Sequence, residues 1–333
     1  MKRTLILTCL NFCSFLFAQT DSINKTVISY DDKIALRVNF DTNIENYVIS
    51  SKELNIKPRL ELNNQINTTV GLDYKIISAA VSFSPKFFPG NNNDLKGKSS
   101  FTSYIFRFFP KNIIQTLSYT NSKGFYITNT RDFVSQWQKG KDPYLTFPNL
   151  RIQSFSGSTS YIFNNNFSLK GIYYQKEWQM ESSGSFVPSL NYEYLIFSDS
   201  QNSVKSRENQ LNISLDAGYH YNYVITKHIN IAPFLYAGLG KKWSNYRDDV
   251  TQNEREKQNY FTQNFGGGLH LGYNSPRIFF GSKFNYSGSH YKDSGSNIIN
   301  NNFYILVFLG YRLSPPSKMK KMYDKIQDKM QSL

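Results

Sequence analysis

Apolar and polar side chains alternate at every second position along most of this chain. Between Gln210 and Tyr223, one set of alternate residues is Leu, Ile, Leu, Ala, Tyr, Tyr and Tyr, while the other is Gln, Asn, Ser, Asp, Gly, His and Asn. Successive side chains of a β-strand point to opposite faces, whereas a helix would scatter both sets around its circumference. The segment is therefore predicted to be a strand with one apolar and one polar face.

The same two-faced pattern recurs at residues 66–74, 77–84, 261–273 and 278–287. Many of these runs are about 10 to 15 residues long, whereas strands of globular proteins average about 5 to 6. A strand that crosses a bilayer at a tilt needs about 9 to 11 residues. The strand lengths therefore favour membrane-spanning strands and disfavour a secreted β-sandwich or lectin-like binder, whose strands are shorter.

Short connections between the predicted strands alternate with long polar ones. The short ones lie near residues 75, 111, 165, 227 and 275, and the long ones span 85–99, 130–149, 198–208, 244–258 and 291–300. Bacterial outer-membrane barrels have short turns on the periplasmic side and longer loops on the outside. The connections therefore indicate a barrel of this kind.

The strand count tests this prediction. Predicted strands are 33–51, 56–74, 77–84, 100–109, 113–128, 150–163, 167–178, 184–197, 209–224, 228–243, 259–273, 276–290 and 301–312. Thirteen is odd, and a bacterial barrel needs an even number. Joining 167–197 into one bent crossing with an extracellular extension gives 12, while splitting 33–51 at residues 41–43 gives 14. We predict an all-β fold, a transmembrane antiparallel up-and-down barrel of about 12 strands, with 14 as the alternative.

Both ends of the chain carry further signals. A basic start, an apolar run from Leu5 to Phe17 and Ala18 predict a signal peptide over residues 1–18, against the alternative of a buried N-terminal strand or helix. Residues 19–32 then form a periplasmic leader, and 33–312 the barrel. Residues 313–333 are a periplasmic tail with apolar residues at helical spacing among lysines, which predicts an amphipathic helix. Such a helix could be a frayed soluble tail, lie on the inner leaflet or block the barrel mouth.

Composition narrows the class of protein. Aromatic residues make up 16% of the chain, with 24 Tyr, 27 Phe and 3 Trp, yet the sequence after the signal peptide has no apolar run of the length that a transmembrane helix needs. Alternating lipid-facing and lumen-facing strands give this combination. Cys9 and Cys13 both fall in the signal peptide, so the exported chain cannot be stabilised by disulfides. A closed barrel supplies another source of stability.

The chain is basic, with 38 Lys+Arg against 24 Asp+Glu, and 36 against 24 once Lys2 and Arg3 are removed. Such an excess suits nucleic acid, anionic lipid or an anionic substrate. Export argues against nucleic acid, and the charge is spread over loops and turns, as expected beside anionic headgroups. The expected partners are outer-membrane lipid and lipopolysaccharide, together with the barrel assembly machinery. A transported small solute is not identified by the sequence.

Several blocks resemble a Bacteroidota family known as domain of unknown function 4421. They are Lys123-Gly124-Phe125-Tyr126, Phe147-Pro148-Asn149-Leu150-Arg151, Gln175-Lys176-Glu177-Trp178-Gln179 and Ser182-Ser183-Gly184-Ser185-Phe186. The likeness covers roughly residues 30–312, with Asn149 in place of an expected Asp and Met180-Glu181 in place of expected basic residues. The resemblance implies a porin-like outer-membrane barrel of a Gram-negative bacterium and implies no activity.

Candidate chemistry is sparse. His220, His228, His270 and His290 lack the spacing of metal ligands. Ser289-His290 with Asn285 or Ser294 could be drawn as an esterase site, although the spacing fits no motif. Gly266-Gly267-Gly268 lies within a strand rather than before a helix, so it either lets the wall bend or leaves room for a bulky neighbour instead of holding phosphate. Charged or ionisable side chains expected in the lumen are Asp73, Arg107, Asp216, His220, His270 and Lys283.

These observations predict no catalytic residue, no cofactor and no metal site. The expected function is that of a non-catalytic channel, transport or envelope structural protein in the cell outer membrane, reached by Sec-type export. The alternative is a barrel enzyme that acts on lipid or peptide. Twelve strands do not decide whether the lumen is open, because eight leave essentially no pore and sixteen leave an open one.

Overall fold

The computed structural model describes residues 26–42, 46–48, 58–201, 204–248, 256–293 and 296–331. The predicted signal peptide, residues 1–18, lies outside these ranges. The strands are β1 Val27–Ser29, β2 Ile34–Asp41, β3 Asn46–Val48, β4 Arg59–Leu62, β5 Asn67–Tyr74, β6 Ile77–Phe83, β7 Ser100–Phe108, β8 Ile113–Ile127, β9 Thr146–Tyr161, β10 Glu177–Gln179, β11 Ser183–Gln201, β12 Val204–Thr226, β13 Ile229–Asp248, β14 Glu256–Asn274, β15 Ile278–Asp293 and β16 Ser296–Leu313. The helices are α1 Leu169–Tyr173 and α2 Ser317–Gln331, with 3-10 turns at Asp94–Lys96 and Thr130–Asp132. Neither of these two helices is both long and apolar enough to span a membrane.

Twelve strands form a closed antiparallel ring. Its order is β2, β5, β6, β7, β8, β9, β11, β12, β13, β14, β15 and β16. The ring closes where β16 pairs with β2, from Leu313 opposite Ile34 to Leu306 opposite Asp41. This confirms the predicted 12-strand barrel, whose wall has no unpaired edge.

The alternative of 14 strands has a structural counterpart outside the ring. β3 and β4 pair with each other, and β4 pairs with the end of β8, with Leu60 opposite Ile127 and Leu62 opposite Phe125. The predicted strands 33–51 and 56–74 are thus each divided, into β2 and β3 and into β4 and β5. The strands β3 and β4 extend one side of the wall and do not widen the barrel.

Apolar side chains are exposed and polar side chains are buried, which is the reverse of the distribution in a soluble protein. Alternate residues of β12 such as Leu215 are exposed on the outside, and Leu235 of β13 is 73% exposed. Polar side chains such as Asn222 and His270 are buried inside the ring. Apolar side chains outside and polar ones inside are what a barrel in lipid requires. The period-two prediction is therefore confirmed on both faces.

Glycines of β14 make room for aromatic rings of β13. A Cβ added at Gly266 would lie 2.5 Å from the hydroxyl of Tyr236, and one added at Gly268 would lie 2.8 Å from the ring of Phe234. Neither distance is compatible with an ordinary side chain. Of the two predicted roles for the glycine run, these contacts support the one in which glycine leaves room for bulky neighbours.

We call the end of the barrel that carries the short connections at residues 75–76, 109–112, 227–228 and 275–277 the turn end, and the opposite end the loop end. The strand predicted at 167–178 is wrong. Residues 162–182, which we call the plug, leave β9 at the turn end, fold into the lumen and return to the turn end, where β11 begins. The plug contains α1 and β10. Joining 167–197 gave the right strand number, but the crossing begins at Ser183 and has no extension from residues 167–182 outside the membrane.

Helix α2 lies beside the wall. The ring of Tyr323 contacts that of Tyr74 at 5.9 Å between centroids, and Lys75 Nζ lies 5.5 Å from the Tyr323 ring centroid. Tyr74 pairs with Ile77, which is exposed on the outer face. The helix therefore lies against the outside of the barrel at the turn end, whereas residues of the plug lie inside the lumen.

The reversed exposure predicts where a charge is costly. Replacing Leu215, 62% exposed in the middle of β12, by Arg should lower the free energy of unfolding by about 2 to 4 kcal/mol, because the guanidinium would face hydrocarbon. Denaturant titration of the protein folded into vesicles measures this. Phe87→Arg, at a residue 81% exposed in the connection between β6 and β7, should cost less than about 1 kcal/mol. An equal loss of unfolding free energy in the two variants would contradict the assignment of Leu215 to the lipid face.

Candidate functional site

The lumen holds a cavity of about 820 Å³ between the plug and the middle of the wall. Tyr173, Tyr174 and Gln175 of the plug form its floor. The wall is mostly small and polar, with Thr116, Ser158, Ser160, Ser189, Asn191, Ser214, Asn264, Asn285 and Ser287. A cavity of this size and polarity can hold a small hydrated solute.

One side of the plug packs against the wall through an apolar core. Phe167, Leu169 and Ile172 of the plug are buried there, and Tyr173 and Tyr174 pack against the same core. The wall contributes Phe109, Ile114, Val187 and Ala232, and Ile162 at the start of the plug completes the core. Burial of these side chains fixes the plug against the strands β8, β11 and β13 and against the connection between β7 and β8.

Internal polar contacts shape the plug. Ser168 caps α1 by accepting a hydrogen bond from Gly171 N at 2.8 Å, and its hydroxyl donates to Glu177 at 2.6 Å. Lys170 pairs with Glu177 at 3.4 Å. A capping serine satisfies a helix amide that would otherwise lack a partner inside the lumen. The plug is therefore a folded unit with its own ion pair.

The opposite side of the plug meets a buried ion pair. Arg37 of β2 lies 3.7 Å from Asp73 of β5, and both side chains are almost completely buried. Arg37 also donates to the carbonyl of Tyr173 at 3.4 Å and to the side chain of Gln175 at 3.5 Å. The guanidinium thus joins the wall to the plug, and the carboxylate offsets part of the cost of burying its charge.

Arg312 of β16 makes the second attachment. Its guanidinium donates to the carbonyl oxygens of Gln175 and, at 2.6 Å, Ser275. The same group lies 3.8 Å from the ring centroid of Tyr30 and 4.5 Å from that of Phe279. Arg312 therefore connects the last strand, the plug and the N-terminal segment through charge-assisted contacts.

Gln175 occupies an unfavourable backbone conformation between these two arginines. Its φ of 54° lies in the left-handed region that non-glycine residues rarely adopt. The side-chain amide donates to Ile172 O at 2.7 Å, which returns it to the end of α1. Contacts with Arg37 and Arg312 stabilise this conformation, so both arginines act on one residue of the plug.

The N-terminal segment is joined to the plug at the turn end. β1 pairs antiparallel with β10, with Ile28 opposite Trp178, and the indole of Trp178 donates to Lys227 O at 2.8 Å. Lys176 lies 3.5 Å from Asp31. Burial lowers the pKa of Lys176 and raises the pKa of Asp31. Since both shifts oppose ionisation, packing and backbone pairing matter more here than the ion pair.

Two cations of the wall lie over tyrosine rings of the cavity floor. Lys283 Nζ lies 4.2 Å from the ring centroid of Tyr173, and the guanidinium of Arg107 lies 5.1 Å from that of Tyr174. The hydroxyl of Tyr173 lies 3.3 Å from His220 Nδ1. Cation–π contacts of this kind hold the positive charges without neutralising them.

The structure confirms that all six ionisable residues expected in the lumen face inward. Five of them lie around the plug: Asp73, Arg107, His220, His270 and Lys283. Asp216 lies nearer the loop end of the wall, where its carboxylate accepts hydrogen bonds from Asn191 at 2.8 Å and Asn264 at 3.2 Å. His220 stacks on Phe234 and His270 on Phe308. The described residues contain no cluster of His, Cys, Asp and Glu suited to a metal ion.

The esterase arrangement drawn from Ser289 and His290 is not assembled. Ser289 lines the cavity, whereas His290, as the next residue of β15, points to the opposite face. His290 Nδ1 lies 3.4 Å from the side chain of Gln263. Asn285 shares the cavity face with Ser289, so the wall separates the histidine from both. Ser294 lies outside the described residues.

Sequence reasoning missed Arg37, Arg312 and the plug. A signal existed for both arginines, because each occupies a polar position in an alternating strand. Arg37 lies between Leu36 and Val38, and Arg312 lies between Tyr311 and Leu313. Nothing in the sequence pairs either arginine with Gln175, which is more than a hundred residues away along the chain.

A known family and several solved structures match this chain. The family described as Domain of unknown function (DUF4421) matches residues 25–313. An outer membrane channel from Pseudomonas putida F1 is 10% identical, with a TM-score of 0.38 and coverage of 89% of this chain and 100% of that one. LpxR from Salmonella typhimurium is 8% identical, with a TM-score of 0.35 and coverage of 83% and 99%. No protein of curated function matches the chain.

Loss of Arg312 should loosen the plug. Arg312→Ala removes charged hydrogen bonds worth about 2 kcal/mol, so a cysteine placed at buried Ile172 should react with a soluble maleimide about tenfold faster or more. The exported chain has no other cysteine if residues 1–18 are removed. Arg277→Ala removes an exposed cation from the neighbouring turn and should leave the rate unchanged. Unchanged labelling in folded Arg312→Ala barrels would rule out this attachment.

Proposed function

Because this chain belongs to the family Domain of unknown function (DUF4421), whose description gives no activity, we propose a function from the geometry of its lumen. The protein is a non-catalytic outer-membrane conduit for small polar solutes, and the plug keeps it closed at rest. The observation that carries this proposal is a polar cavity of about 820 Å³ that ends on a segment which is not part of the wall.

The proposal fixes an orientation. With the short turns in the periplasm and the long connections outside, the plug closes the periplasmic end. The chain reaches this position after Sec-type export and insertion by the barrel assembly machinery. A solute in the cavity is then separated from the periplasm by the plug alone.

The plug can move without opening the wall. The ring is complete without β10, which pairs only with β1 among the described strands. The plug would be free on one side after two events. Arg37 and Arg312 would release Gln175, and β1 would separate from β10. A gate made this way breaks a small number of polar contacts and leaves the backbone pairing of the barrel intact.

The charges on the floor favour anionic solutes. Arg37, Arg107 and Lys283 line the cavity with one carboxylate, Asp216, while Asp73 is paired with Arg37, so that a positive excess remains. A narrow cavity with low-dielectric walls strengthens the electric field of the positive charges that line it. Carboxylates and phosphates small enough for the cavity are therefore the preferred solute class. A catalytic role in the lumen has no observation in its favour.

Electrical recording tests the proposal. In planar bilayers the wild-type barrel should be closed for most of the time, while Arg37→Ala/Arg312→Ala, or replacement of residues 164–181 by a Gly-Ser linker, should give long open steps. In a salt gradient the open steps should be anion-selective, and Arg107→Glu/Lys283→Glu should reduce or reverse that selectivity, because the charges that attract anions are replaced.

The control removes the same number of cations elsewhere at the turn end. Lys227→Ala/Arg277→Ala, both exposed there, should behave as the wild type does. A folded barrel without residues 164–181 that still does not conduct would end the proposal and favour an envelope structural role, in which the plug only fills the lumen.

A further inference from the structure

The outer face of five neighbouring strands carries a row of aromatic and apolar residues. Strand pairing places side by side Tyr119 of β8, Phe155 of β9, Tyr194 of β11, Leu211 of β12 and Trp243 of β13. Paired residues of adjacent strands share a face, and Phe155, Tyr194, Leu211 and Trp243 are exposed on it. Rings in such a row mark the boundary between lipid chains and headgroups.

Four residues closer to the loop end, the same strands carry a second row. It consists of Lys123, Arg151, Ser198, Arg207 and Arg247, again paired side by side. We call the four charged members the cationic row. An even number of residues separates the two rows on every strand, so both lie on the outer face, about 13 Å apart along the strands.

Like charges stand directly opposite each other twice in the cationic row. Lys123 is opposite Arg151, and Arg207 is opposite Arg247. Such pairs destabilise a sheet, and an anion held between the two cations would offset the repulsion. The ion pairs of the described residues include none of these four side chains.

The carboxylates of the same strands do not offset this charge. Glu193 of β11 accepts from Ser154 at 2.8 Å and from Asn212 at 3.0 Å. Glu208 of β12 accepts from Gln210 at 2.7 Å, and Gln210 is buried. Both acids therefore belong to the lumen side of the wall. Along these strands the acidic side chains face inward and the cationic row faces outward.

We propose that the cationic row binds the phosphate groups of a phosphorylated lipid in the outer leaflet. The loop end faces the cell exterior in the assigned orientation, which puts the row at the headgroup level of that leaflet, directly beyond the aromatic row. The lipid chains contact the apolar wall below, and its phosphates lie between the opposed cations. Arginine and lysine together suit this ligand, since guanidinium groups bind phosphate oxygens in pairs and ammonium adds a point charge.

This inference is independent of solute passage. It requires only that the barrel sits in a membrane with its loop end outward, so a barrel that never conducts could still bind the lipid. Failure of the conductance experiment and failure of the lipid experiment are therefore distinguishable.

The test uses the full barrel in phosphatidylcholine vesicles that contain bisphosphorylated lipid A, and measures lipid retained after detergent extraction by native mass spectrometry. The wild type should retain lipid A about tenfold or more over its dephosphorylated form, because each basic residue adds attraction to an anionic lipid. The variant Lys123→Gln/Arg151→Gln/Arg207→Gln/Arg247→Gln should lose this preference.

A matched control removes four exposed cations from loop-end connections outside the row. It is Lys86→Gln/Arg131→Gln/Lys139→Gln/Lys141→Gln, which changes the net charge by the same amount. This variant should retain lipid A as the wild type does. Both variants should keep the heat-modifiable gel mobility of a folded barrel, so that loss of binding is not loss of fold.

Several results would overturn the proposal. Equal retention by the row variant would show that these side chains do not hold the lipid, and equal loss in the control would show an effect of total charge. Equal retention of phosphorylated and dephosphorylated lipid A would show that the apolar wall alone is bound. Complete displacement of the lipid by inorganic phosphate would assign the row to free phosphate instead.

Discussion

Closure of the backbone hydrogen bonding between β16 and β2 is the constraint on which the rest of this structure depends. Hydrocarbon offers no partner for an open strand edge, so a sheet can stay in a bilayer only as a ring. Once the ring is closed, each strand has one face toward lipid and the other toward an enclosed lumen. The outward apolar side chains, the polar cavity and the plug all follow from that division.

The closed wall also explains how charge is distributed. Inside, Arg37, Asp73 and Lys283 are held by one ion pair and by aromatic rings, and they face a cavity rather than a membrane. Outside, the cationic row lies beyond the aromatic row and away from the apolar band. Both groups of charges therefore lie where water or anions are available, which lowers the cost of carrying them in a membrane protein.

Much of this architecture was predictable, because period-two alternation reports directly on strands with two different environments. The inward direction of residues such as His270 and Lys283 follows from it. The number of strands does not, because alternation gave thirteen and the requirement for an even number reduced the count to twelve. The plug was not predictable. Phe167, Leu169 and Tyr173 are separated by even numbers of residues, which is the spacing expected of a strand. In the structure both sides of this segment are buried in the lumen, including Lys170 with its partner Glu177. The cationic row becomes visible only when strand register is known, since its members are scattered from Lys123 to Arg247.

The two arginines that hold Gln175 come from opposite ends of the sequence, Arg37 from the first strand of the ring and Arg312 from the last. These two strands are the ones that meet to complete the wall. During biogenesis the segment at residues 162–182 emerges in the middle of the chain, long before its second anchor is in place. The plug therefore gains its last contact only after the final strand has been added, so complete attachment of the plug is a sign that the ring has closed.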